Sequence, residues 1–177
     1  MTTINRSIRI LKSIIYVSIA VILAGQILYW FVPVSSDYIT TSHPIIDTYG
    51  SLADLSTAQK VLSFLIALTP KVALVGAFVL LLKLCNSFES GDWFNRQTES
   101  HCEKIGRWMI AYVFLAILHR TLLALVVTFN NPPGERELTF SISTNDLMAL
   151  LPALLAFIIG HMVGVARRQR DELNEII

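Results

Sequence analysis

Polar positions in this chain come in clusters, and the clusters separate four long apolar runs. Residues 14–32 read IIYVSIAVILAGQILYWFV, and 61–84 read VLSFLIALTPKVALVGAFVLLLKL. Residues 108–129 read WMIAYVFLAILHRTLLALVVTF, and 147–166 read LMALLPALLAFIIGHMVGVA. A helix needs about 20 predominantly apolar residues to cross the hydrocarbon of a bilayer, and each run has that length. Backbone N–H and C=O groups find no partners in lipid, so each run is expected to be a helix, which pairs them internally. The pattern predicts an all-α membrane protein with four transmembrane helices, one domain over 1–177. The first run follows Arg6, Arg9 and Lys12, as the apolar part of a signal peptide would. It is longer than such a segment and runs on into WFVPVSSDY with no small-x-small cleavage site, so it reads as a retained span.

The polar stretches have patterns of their own. FESGDWFNRQTESHCEKIG, at 88–106, forms the core of a connection over 85–107 between the second and third spans. Gly91 stands where a helix C-terminus favours a left-handed residue. Asn95 is placed to cap a new helix beginning RQTE. Phe88, Trp93 and Phe94 suit a turn anchored at the headgroups, or else a ligand contact. Two further connections, 33–60 and 130–146, share the opposite side. In the second, ELTFSIS alternates Leu138, Phe140 and Ile142 with polar residues, the period of a half-buried strand. A strand needs a partner, and DYITT or HPIIDTY in the first connection is the expected one, giving a small extracytoplasmic β cap. Ser143 or Thr144 then caps the fourth helix, with Asp146 in its first turn.

Charge orients this arrangement. Arg6, Arg9, Lys12, Lys83, Arg96, Lys104, Arg107, Arg167, Arg168 and Arg170 fall on one side, against Lys60 and Arg136 on the other. Basic residues collect on the cytoplasmic face, so both termini are expected in the cytoplasm and the protein in the inner membrane as a multi-pass chain. Composition agrees: 54% of residues are hydrophobic and 15% charged, where a soluble domain has about a quarter charged. The formal net charge of +1 makes no case for nucleic acid.

Lys71, His119 and Arg120 interrupt the spans. Lys71 lies about 15 Å along the second run and His119, beside Arg120, about 16 Å along the third, which places them near the midplane. Cations at that depth usually face the bundle interior or a water-filled cavity. The four runs hold no Asp or Glu, so the expected partners are carbonyls, hydroxyls such as Thr69 or Tyr112, Gln26, water, an anion or another subunit. Lys71, Arg120 and His119 are thus the candidate ligand-binding residues, for an anion or a lipid headgroup held between spans two and three. The other reading is that they snorkel or pair with a partner's acid. Cys85, His101 and Cys102 match no zinc spacing and lack a fourth ligand, so no metal or cofactor is expected. Gly160 and Gly164 permit close helix contact, within the chain or in a dimer. The chain carries no nucleophile elbow, P-loop, dinucleotide fingerprint or HExxH motif, so enzyme activity is not expected.

LLLKLCNSFESGDWFNRQTESHCEKIGRWMI resembles the central motif of a bacterial four-span membrane family, domain-of-unknown-function family 2975, through Phe88, Gly91, Phe94, Ile105 and Gly106. Pro70 and the stretch before span four fit as well. Glu99, His101 and Glu103 depart from the arginines usual after the motif, and the tail ARRQRDELNEII matches only loosely. The resemblance implies a four-helix inner-membrane protein, often paired with small helix-turn-helix regulators, and no established activity. The function expected is non-enzymatic: binding a partner, such as a cytoplasmic regulator, and regulating it, with a homo-oligomer also open. The alternative is a small transporter or channel component with an intramembrane anion or lipid-headgroup site.

Overall fold

The computed structural model describes residues 2–31, 55–89, 91, 93–132, 136, 138, 140 and 142–175. Among the described residues there are four helices: α1 Thr2–Phe31, α2 Thr57–Glu89, α3 Arg96–Thr128 and α4 Thr144–Glu175. All four are long and apolar enough to cross a membrane, the make-up of a multi-pass membrane protein. Each is longer than its apolar run. At 33 residues, α2 and α3 extend about 50 Å, well beyond a hydrocarbon layer of about 30 Å. The connection expected over 85–107 is therefore mostly helix, and only 90–95 separates α2 from α3. Capping sets those ends, not the loss of hydrophobicity. Gly91 has φ +80° and donates its N–H to the Phe88 carbonyl, and the Asn95 side chain accepts the Thr98 N–H at 2.7 Å.

The β cap is not supported. Leu138, Phe140 and Ile142 are exposed and belong to no strand, and the described residues contain no strand at all. The segments expected to pair with them, DYITT and HPIIDTY, fall outside the described residues. Alternation supplies one face of a strand, but only a second chain segment supplies the ladder.

The helices run antiparallel in an open row. α1 packs on α2, α2 on α3 and α3 on α4, and among the described residues α1 and α4 do not meet. Small residues allow the close approaches. A Cβ added at Gly76 of α2 would stand 3.0 Å from the Trp108 ring of α3, and one at Gly106 of α3 2.7 Å from the Phe157 ring of α4. On α4, Gly160 lies against Cys102 and Gly164 against the Glu99 carboxylate. The Gly160/Gly164 pair thus serves contact within the chain.

Pro70 sits inside α2 without ending it. Proline lacks the N–H that would bond the Ile66 carbonyl one turn earlier. The Thr69 hydroxyl donates to that carbonyl at 2.8 Å instead, so the helix crosses the proline with the acceptor satisfied.

Candidate functional site

Polar side chains join neighbouring helices at several levels. Toward the end where α1 begins and α4 finishes, Lys12 pairs with Glu89 at 2.6 Å and Arg167 with Glu99 at 3.3 Å. Toward the opposite end, Arg120 of α3 pairs with Asp146 in the first turn of α4, and its Nη1 donates to Ser143 Oγ at 3.2 Å. Asp146 also accepts the Ser143 N–H at 2.7 Å and hydroxyl at 2.9 Å. One carboxylate therefore caps α4 and neutralises Arg120. The same design recurs at α2. Ser56 donates its N–H and hydroxyl to Gln59 Oε1, a capping box, while Gln59 Nε2 donates to the Val126 carbonyl of α3 at 3.0 Å. Asn130 adds a bond to the same Gln59 oxygen at 2.9 Å.

From Glu99 to Arg120 along α3 is about 32 Å. Arg120 stands level with the first turn of α4. α4 begins at that level, while α3 continues about 12 Å past it to Thr128.

Lys71 stands apart from Arg120. Its Nζ donates to Gln26 Oε1 of α1. Counted from the Gly76–Trp108 contact, Lys71 lies about 8 Å and Arg120 about 18 Å along their helices, a depth difference near 10 Å. The single polar region expected between α2 and α3 does not form: Lys71 turns to α1 and Arg120 to α4. Gln26 was among the partners expected for the buried cations, and it holds Lys71. His119, next to Arg120, is half-buried.

The turn motif has structural duties. Phe88 packs its ring 5.6 Å from that of Trp93, Gly91 takes the left-handed conformation, and Phe94 is exposed. Gly106 lies outside the turn, within α3, where Phe157 and the Ala153 carbonyl leave no room for a Cβ. Both cysteines are free and buried: Cys85 packs with Ile8 and Ile15 of α1, Cys102 against Gly160 of α4. Among the described residues no three His, Cys, Asp or Glu side chains come together as a metal site would need.

Reading by runs missed Asp146, Gln59, Glu99 and Arg167 as interhelical partners, because all lie at or beyond the ends of the apolar runs. The signal for two of them was present: S-x-x-Q at 56–59 and S-x-x-D at 143–146 are capping-box spacings. No family model, no curated protein and no solved structure matches the chain.

Proposed function

We propose that this is a non-enzymatic bacterial inner-membrane protein, with both termini cytoplasmic, that binds a partner protein along its helices and regulates it. The observation that carries this reading is the open row. Among the described residues α1 and α4 each pack on a single neighbouring helix, and α4 turns Leu151, Leu154, Leu155, Ile158 and Ile159 outward. An edge helix held on one side by glycine contacts and an ion pair is a rigid rail to which another membrane helix can pack. Past Arg167, the last turns of α4 are exposed and carry Arg168, Arg170, Asp171 and Glu172, a charged handle for a cytoplasmic regulator. The orientation rests on the basic residues at the end where α1 starts and α4 finishes. Membership of domain-of-unknown-function family 2975 rests on Phe88, Gly91, Phe94, Ile105 and Gly106, three of which have the packing or backbone roles described above.

A photo-crosslinking amino acid placed at Leu155 or Ile159 in native membranes tests the reading. The expected product is one protein adduct of defined mass, absent when the probe is at Phe114 of α3. Adducts to lipid alone, or only to a second copy of the chain, would overturn it.

A further inference from the structure

Arg120 has a carboxylate, and so do Lys12 and Arg167. Lys71 is the charged side chain of the helix interiors whose bond, among the described residues, goes to a neutral amide oxygen. That amide is itself incompletely bonded. Gln26 is 3% exposed, and its Nε2 has no acceptor among the described residues. One turn further along α1, Trp30 is 8% exposed and its indole N–H likewise lacks an acceptor. Leaving a buried donor without an acceptor is costly, because the group has given up its bonds to water. The α1–α2 seam thus gathers an ammonium, an amide and an indole N–H within about 6 Å of helix rise, with donors in excess of acceptors.

The depth of this group narrows what can supply the acceptor. Gln26 and Lys71 both lie within apolar runs, and Trp30 stands near the end of the first run at 14–32, where aromatic residues mark an interface. A Lys side chain carries its charge several ångströms along a helix, so the ammonium reaches toward the indole and the lipid headgroups. Leu23 and Ile27 of α1 and Leu65 and Val72 of α2, on the two helices that form the seam, are exposed. Those are surfaces for acyl chains. Each of the three donors offers N–H groups to an oxygen anion, and only Lys71 supplies charge.

We propose that the α1–α2 seam is a binding site for the phosphate of an anionic phospholipid, with Lys71 as the charge partner, Gln26 Nε2 and Trp30 Nε1 as donors, and Leu23, Ile27, Leu65 and Val72 along the acyl chains. The site goes beyond the partner-binding reading and lies on the helix row at the edge opposite α4, so either stands or falls without the other. A carboxylate on a second copy is not available at this depth, since Asp146 is engaged by Arg120 and the remaining acids of the described helices lie near the helix ends.

The test is native mass spectrometry and thermal unfolding of the full chain in detergent with phosphatidylglycerol, phosphatidylcholine or excess inorganic phosphate added separately. Wild type is expected to retain phosphatidylglycerol with at least about tenfold preference over phosphatidylcholine, and to gain thermal stability from it. Lys71→Ala is expected to lose that preference, and Lys71→Arg to keep it. Gln26→Leu, which leaves the charge in place, should weaken retention several-fold and serves if Lys71→Ala fails to fold. Arg168→Ala, at an exposed cation, should change nothing. No preference in wild type, or equal retention by wild type and both the Lys71→Ala and Gln26→Leu proteins, overturns the proposal. Protection by inorganic phosphate equal to that by phosphatidylglycerol overturns the lipid source in favour of a free anion.

Discussion

The Arg120–Asp146 pair makes a prediction whose size follows from its surroundings. The Arg120 side chain is 25% exposed and that of Asp146 9%. Breaking a buried ion pair by removing one partner typically costs about 3–5 kcal/mol, because the other charge is left alone. The two truncations here are unequal. In Arg120→Leu, Asp146 keeps its bonds from the Ser143 N–H and hydroxyl, so its charge stays partly satisfied and a cost near the lower limit, about 2–3 kcal/mol, is expected. In Asp146→Ala, the cap of α4 goes as well, adding about 1 kcal/mol, and Arg120 is left with a single bond to Ser143. The expected cost is about 4 kcal/mol. In the double variant no orphaned charge remains, so it should lose less than the sum, with a coupling of about 1.5–3 kcal/mol. Equilibrium unfolding of the four proteins in mixed detergent micelles measures the cycle. Additivity within about 0.5 kcal/mol would show that the two side chains do not act as a pair. Equal losses for the two single variants would show that Asp146 has no separate capping role.

Gly91→Val should destabilise the chain by about 1 kcal/mol or more, since φ +80° disfavours a β-branched residue, while Gly91→Asn should be milder; chemical denaturation in detergent compares them. Gly164→Ala would put a Cβ 2.5 Å from the Glu99 carboxylate, so that side chain must leave its seat beside Arg167, at a cost of about 1–3 kcal/mol in the same assay. For orientation, a membrane-impermeant thiol reagent applied to intact cells should label a cysteine introduced at Ser51 or Glu135 and spare one at Gln97 or Asn174, with Cys85 and Cys102 replaced by serine. Labelling at Gln97 would reverse the assignment.

Four helices and their antiparallel order were legible in the chain alone, because hydrocarbon imposes one rule on every residue that enters it. Roughly 20 apolar residues in a row can satisfy their backbone only as a helix. Local chemistry was legible for the same kind of reason: Gly91 and Asn95 act on residues within one turn of themselves, so their roles follow from spacing. The β cap was not decided this way, because alternation along ELTFSIS describes one segment and a sheet is a relation between two. The cations show the same division. That Lys71 and Arg120 must find polar company follows from their charge, but which company depends on helix register. Sequence separation hides that Arg120 stands level with the first turn of α4, 26 residues away, and that Lys71 meets Gln26, 45 residues away. Only the packed row, with its glycine contacts setting how α3 slides against α4, decided that one cation is neutralised by a carboxylate while the other is held by an amide.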